Sequence, residues 1–199
     1  MATRRSSWSA RSRNARANVP LMPVPELETS RLVMRGHRRE DLEDAMTMWS
    51  QRDVVQYVGG HPLDLEQVWT RLLRYVGHWA LMGFGYWVVR EKGTERFVGE
   101  VGFGDFLRMS VPELCGAPEA GWAITPAAQG RGFATEAVDA AHRWLASVHG
   151  AERTICMIAP ENVASLRVAR KCGYRVWTQT HYRGEQALLL ERLYGPMRP

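Results

Sequence analysis

Residues 119–145 read EAGWAITPAAQGRGFATEAVDAAHRWL, and a change of period inside that stretch decides the architecture. Glu119-Ala-Gly-Trp-Ala-Ile124 reads as a strand that ends at Thr125-Pro126. Gln129-Gly-Arg-Gly-Phe-Ala134 is a glycine-rich turn. Beyond it Ala134, Ala137, Val138, Ala141, Leu145 and Val148 recur on one helical face, and His149-Gly150 ends the helix. A further strand is expected over residues 154–159. Strand, helix and strand in that order make a parallel crossover.

The glycine turn is the chemical centre of the stretch. Glycines there let the backbone turn tightly and bring several N–H groups to one point. The new helix adds unpaired N–H groups and the positive end of its dipole. Together these suit an anion, and a pyrophosphate is a natural guest. A tight turn that holds no ligand is the alternative. A Walker loop would need Gly-Lys-Ser/Thr, which is absent. A Rossmann loop would need a third glycine where Thr135 stands.

Working outward, Pro23 and Pro25 mark an extended entry and residues 31–36 a first strand. Residues 41–50 read as a helix with Leu42, Ala45, Met46 and Trp49 on one face. A second helix is expected over 64–80, capped by Asp64, with Leu65, Val68, Leu72, Val76 and Trp79 as its apolar stripe. Strands at 85–90 and 97–103 flank a charged turn. After the crossover, Asn162 caps a helix that runs to about Cys172, and Gly173 stands where a helix stops. Strands at 174–180 and 186–193 close the chain. The order β-α-α-β-β-β-α-β-α-β-β implies an α/β chain, a mixed sheet with helices on both faces.

Composition excludes several classes. Hydrophobic residues make up 45% and charged residues 24%, values of a globular protein. No run of 18 apolar residues exists to span a membrane. The net charge of +5 is the charge of a tail: residues 1–25 hold Arg4, Arg5, Arg11, Arg13 and Arg16 and no acid. Without them the chain carries 21 basic and 21 acidic residues, which disfavours nucleic acid as a partner of the fold itself. Residues 1–25 read as a disordered Arg/Ser-rich leader, with a transit peptide as the alternative, and residues 26–199 as a single domain. Cys115, Cys156 and Cys172 form no C-x-x-C pair, which fits a reducing cytoplasm. The histidines lack metal-ligand spacing, so no metal is expected.

Three segments carry a resemblance. Gln129-x-x-Gly132-x-Ala134 resembles the acetyl-CoA signature of the GNAT superfamily of N-acetyltransferases. Glu28-Thr-Ser-Arg-Leu-Val-Met-Arg35 is similar to the first strand of its ribosomal-protein alanine N-acetyltransferase-like branch. Asn162-Val-Ala-Ser165 with Lys171-Cys-Gly-Tyr174 resembles a later segment of the same branch. The match covers about residues 26 to 193. It implies a central, mostly antiparallel sheet of about seven strands. It also implies acetyl-CoA as the acetyl donor and a primary amine, of a protein N-terminus or a small molecule, as acceptor. The backbone of Trp122, Ala123, Ile124 and Thr125 would then pair with the pantetheine arm. Gln129, Gly130, Arg131, Gly132, Phe133, Ala134 and Thr135 would hold the pyrophosphate, and Asn162 would hydrogen-bond the pantetheine. The family splays two strands to admit that arm, here those at 119–125 and 154–159.

The sequence also offers acid and base groups. Many members of the family use a tyrosine acid on the last helix, seven residues after the asparagine. Ala169 stands at that position. Ser165, one turn past Asn162, is the candidate donor to the thiolate, and a helix-start serine bonding backbone is the alternative. Asn162 itself reads as an N-cap, a role compatible with ligand contact. Lys171 reads as a cation at a helix end. Glu119 and Glu100 are the candidate bases, because an apolar strand raises a carboxyl pKa toward neutrality. Glu119 is preferred because its strand runs into the cofactor loop; both also read as plain strand-edge carboxylates. No cysteine shows an activating His and carboxylate, so direct transfer in a ternary complex is expected. Trp79, Trp87 and Trp122 are candidate walls of the acceptor pocket, and residues 52–64, 105–118 and 180–185 candidate acceptor loops. A catalytically silent module that binds CoA is the alternative function, and monomer or homodimer the expected state.

Overall fold

The computed structural model describes residues 23–194, so most of the Arg-rich leader and the last five residues lie outside the described residues. The elements are β1 Leu27–Glu28, β2 Leu32–Arg35, α1 Leu42–Trp49, α2 Arg52–Val55, α3 Leu65–Met82, β3 Tyr86–Glu91 and β4 Phe97–Gly104. After a long loop come β5 Glu119–Ile124, α4 Phe133–Val148, β6 Arg153–Ile158, α5 Val163–Lys171, β7 Arg175–Tyr182 and β8 Glu185–Leu193. One eight-stranded sheet runs in the order β1-β2-β3-β4-β5-β6-β8-β7. Every pairing is antiparallel except β5 with β6. The sheet has one strand more than expected, the two-residue β1, which is too short to show a period in sequence.

Alternation along the strands divides the core between the two faces. Leu32, Met34, Val101, Phe103, Ala120 and Ile124 pack with Ala137, Val138, Ala141 and Leu145 of α4, and α5 joins that layer through Leu166 and Ala169. On the other face Ala123 packs with Ala45, Met48 and Trp49 of α1, Val55 of α2 and Val68 of α3. Helix α2 falls inside a segment expected to be a loop, and at four residues it leaves no periodic trace.

Helix α3 starts as expected. The Asp64 carboxylate accepts from the Gln67 N–H at 2.9 Å, and the Gln67 side chain returns a bond to the Asp64 N–H. Its buried face differs from the expected stripe. Leu65 and Val76 are exposed, while Val68, Leu72, Tyr75, His78 and Trp79 are buried. Aromatic and imidazole side chains bury their rings while their polar tips find partners, so an apolar count alone rotates the face away from them. Trp79 and Trp87 are also not pocket walls. They stack edge-on in the core with Trp144, at 4.7 to 5.3 Å between ring centroids.

A buried carboxylate ties the first half of the chain together. Asp41 is fully buried. It accepts from Arg35 at 2.7 Å through both oxygens, from Arg90 at 2.8 Å and from the Arg38 N–H at 2.8 Å. Burial alone would raise its pKa, but these bonds outweigh it and hold the carboxyl far below the usual range. The ion pairs join β2, β3 and the start of α1.

Candidate active site

The sheet opens between β5 and β6. These parallel strands pair only at Glu119 and Ile155 and diverge beyond that point. The Thr125 N–H bonds the Val98 carbonyl at 2.9 Å, toward β4. Alternation therefore turns the peptide groups of Trp122 and Ile124 the other way, into the gap. Because the strands are parallel, both carboxyl ends lie at the open end, where α4 and α5 begin. Gln129 closes back on that strand end, its Nε2 donating to the Ile124 carbonyl at 3.1 Å. Trp122 is half-buried, with its side chain on the α4 side.

The loop before α4 is shaped by two left-handed residues, Gly130 at φ +74° and Gly132 at φ +82°. A side chain there would be strained. A Cβ on Gly130 would meet no neighbour, so the loop faces open space. Gly132 caps α4, whose first turn is Phe133, Ala134 and Thr135. Phe133 is buried between two guanidiniums, Arg31 at 4.6 Å and Arg131 at 4.4 Å from its ring centre. Arg131 reaches Glu91 at 2.5 Å, and Arg31 donates to the Arg131 carbonyl at 3.0 Å. The Thr29 hydroxyl at 2.6 Å and the Arg31 N–H at 3.0 Å hold the Glu136 carboxylate, which Arg31 also pairs. The Thr29-Ser30-Arg31 turn between β1 and β2 is thus a brace on the glycine loop, a link that its sequence position conceals.

At the other helix start, Asn162 Oδ1 accepts from the Ser165 N–H at 3.1 Å, which makes it the cap of α5. The asparagine amide N–H groups and the half-buried Ser165 hydroxyl have no protein partner among the described residues. Two N-terminal helix ends, a parted strand edge and a glycine loop therefore share one cleft mouth. That arrangement fits a long ligand with a phosphate end and an amide-bearing arm.

The face of the sheet away from α4 carries a second set of side chains. Tyr86, Gly102 and Gly121 lie side by side across β3, β4 and β5. The Tyr86 hydroxyl rests on Gly121 so closely that a Cβ there would sit 2.1 Å from it. Tyr75 of α3 stacks on Tyr86 at 4.3 Å, and His37 lies against Tyr75 at 4.9 Å. Two residues from Gly102 along β4 is Glu100, fully buried, with Trp49 Nε1–H donating at 2.9 Å and His37 Nε2 at 3.2 Å. The other His37 nitrogen, Nδ1, is buried without a partner. On the opposite side is Glu119. Both its oxygens accept from Arg108, at 2.8 and 3.0 Å, and Arg108 also donates to the Tyr182 hydroxyl at 2.6 Å.

The family of the acetyltransferase (GNAT) domain matches residues 31–175. The chain belongs to the GNAT acetyltransferases. It is similar to a structure from Bordetella pertussis described as a GnaT-family acetyltransferase, at 33% identity and a TM-score of 0.76, over 84% of this chain and 99% of that one. It is also similar to the uncharacterized N-acetyltransferase YoaA of Bacillus subtilis (strain 168), 24% identical over 152 residues, 76% of this chain and 83% of YoaA. Its fold is shared by the spermidine N-acetyltransferase of Vibrio cholerae, solved with CoA and spermine, at 18% identity, a TM-score of 0.66 and coverage of 83% and 96%.

Within this GNAT frame the two candidate bases differ in surroundings. Glu119 is locked by a bidentate guanidinium that occupies both of its oxygens. Glu100 is held by a neutral indole and an imidazole. The thiols are quiet: burial, with the Glu119 charge, pushes Cys156 well above its usual pKa, and burial, with Asp139, pushes Cys172 to about 11. Cys115 is exposed and free. Among the described residues no group of three His, Cys, Asp or Glu is placed to hold a metal ion, and no helix is long and apolar enough to cross a membrane.

His37, Tyr75 and Tyr86 carry much of this second region and had no assigned role in the sequence, while Arg108 falls in the 105–118 stretch expected to be an acceptor loop. One signal was available. Glycines inside strands, such as Gly102 and Gly121, mark a close approach by another group.

Proposed function

We propose that this GNAT acetyltransferase moves an acetyl group from acetyl-CoA to a primary amine by direct attack in a ternary complex, within a single domain. The observation that carries the reading is the gap between β5 and β6 beyond Glu119 and Ile155, with the glycine loop at its mouth. The residues fit acetyl-CoA. Gln129 through Thr135 would hold the pyrophosphate by backbone N–H groups. Trp122 through Thr125 and the Asn162 amide would hold the pantetheine arm. When bound, acetyl-CoA supplies the acetyl group as a thioester, whose carbonyl carbon gains a bond to nitrogen as its C–S bond breaks.

The chain's own groups handle the protons. Glu100 takes the proton of the incoming ammonium, from a position fixed by its bonds to Trp49 and His37. His37 positions it from Nε2. Ser165 offers its hydroxyl hydrogen at the departing sulfur. Arg108 occupies both oxygens of Glu119 and fixes it as part of the acceptor wall, so Glu119 is the second choice for the base. The buried thiols of Cys156 and Cys172, pushed up in pKa and so poor nucleophiles, support direct transfer. A cytoplasmic setting accords with the three free cysteines.

The test is an initial-rate study with CoA release as readout. Acetyl-CoA should be turned over only with an amine present, and double-reciprocal plots should intersect. Parallel lines with an acetyl-cysteine trapped on quenching would refute direct transfer. CoA binding without turnover for any amine would leave a silent CoA-binding module.

A further inference from the structure

The second region holds more positive charge than its carboxylates answer. Arg108 is matched by Glu119. Arg71 is mostly buried, yet no carboxylate pairs it among the described residues. Its guanidinium lies over the Trp49 ring at 4.0 Å and gives one hydrogen bond, from Nη1 to the Tyr75 hydroxyl at 3.0 Å. Arg74, one helical step on and exposed, lies over Phe106 at 5.1 Å and likewise makes no ion pair. Partial desolvation and then the nearby charge of Arg71 lower the Arg74 pKa.

The arrangement around Trp49 is polarised. Its N–H edge meets Glu100, and its face carries Arg71. A carboxylate for an ammonium and a guanidinium with unused donors therefore stand on two sides of one indole. Guanidinium is built for planar, two-pronged binding of a carboxylate. A purely cationic acceptor would meet repulsion from Arg71 and Arg74, whereas a zwitterion would match both ends. We infer that the acceptor is an amine bearing a carboxylate close to the amino group, as in a free amino acid, with its carboxylate on Arg71 and its ammonium toward Glu100. This rests on the acetyl transfer proposed above.

The test uses the full chain, acetyl-CoA and matched acceptors that differ only in that carboxylate: alanine with alaninamide, glutamate with its 1-amide, and spermidine as a cation. CoA release should favour each carboxylate-bearing amine over its amide by about tenfold or more in kcat/KM, the worth of one charge-assisted pair. Arg71→Gln should collapse that ratio toward one, mainly through KM. Arg71→Lys should restore part of it. Arg74→Gln, at an exposed position, should narrow it without threatening the fold. Equal rates for acid and amide, or a preference for spermidine, would overturn the inference and leave acetyl transfer standing. Silence with every amine, in a protein that still binds CoA, would instead remove the acetyl transfer on which it rests.

Discussion

The two sides of the β5 strand are built on different plans. Toward the open gap the proposed ligand surface is mostly backbone, drawn from one continuous run between Trp122 and Thr135, with the cap residue of α5. Toward α1 and α3 lie packed, mostly buried side chains: His37 after β2, Trp49 from α1, Arg71 and Tyr75 from α3, Tyr86 from β3 and Glu100 from β4. A backbone cradle tolerates changes in side chain but not in φ. A side-chain chamber tolerates backbone drift but not the loss of a charge. The first plan suits a partner common to a whole family, and the second suits an acceptor that varies from member to member.

The sharpest way to break this contrast is Gly132→Glu. A non-glycine residue at φ +82° costs about 1–2 kcal/mol of strain, and the carboxylate adds repulsion toward pyrophosphate. CoA affinity should fall by about a hundredfold or more, read by calorimetry. Unaltered affinity would show that the loop is only a turn. On the other side, Glu100→Gln should lower kcat/KM by about 10²–10⁴-fold and remove the low-pH limb of its profile, since activity rises with pH as the base loses its proton. Glu119→Gln should leave that limb in place. The reverse pattern would move the base to Glu119.

This asymmetry also governs what the sequence discloses. The glycine loop and its helix were legible because their chemistry is local: four residues fix two positive φ values and a helix start. Asp64 and Asn162 were legible as caps for the same reason. The splay was legible only through family resemblance, because it depends on which strands pair and where they part. The chamber stayed hidden, since Glu100 meets Trp49 across 51 residues and His37 across 63. Glu119 was drawn forward by its place in the strand. Its bidentate tie to Arg108, in a loop of no regular period, could not be read.

The scaffold beneath both regions can be probed apart from them. Asp41→Asn leaves Arg35 and Arg90 without their shared carboxylate, and breaking a buried pair costs about 3 kcal/mol or more. Because the folded-state pKa of Asp41 is depressed, its contribution is present above the unfolded value of about 4 and is lost as pH falls below it. Urea midpoints should drop strongly at pH 7 in the variant, with the gap to wild type closing at acid pH. CoA affinity in the folded variant should change little, since Asp41 lies on the chamber's side of the molecule. A pH-independent difference would assign the loss to packing and not to charge.

The smallest expected effect belongs to Ser165, and it is the cleanest to interpret. The residue contributes to the fold through its backbone N–H, which Asn162 Oδ1 accepts at 3.1 Å. Ser165→Ala keeps that N–H and hence the cap. What it removes is a hydroxyl with no protein partner among the described residues, on a helix whose Ala169 offers no rival donor. If the hydroxyl serves the departing sulfur, kcat should fall by about tenfold, one hydrogen bond's worth, with CoA affinity and Tm nearly constant. If it merely helps start the helix, Tm should fall and kcat should hold. Ser165→Thr separates the two further. It retains a hydroxyl, so partial recovery of kcat would tie the effect to proton donation, and a solvent isotope effect lost in the alanine variant would fix the proton to that oxygen.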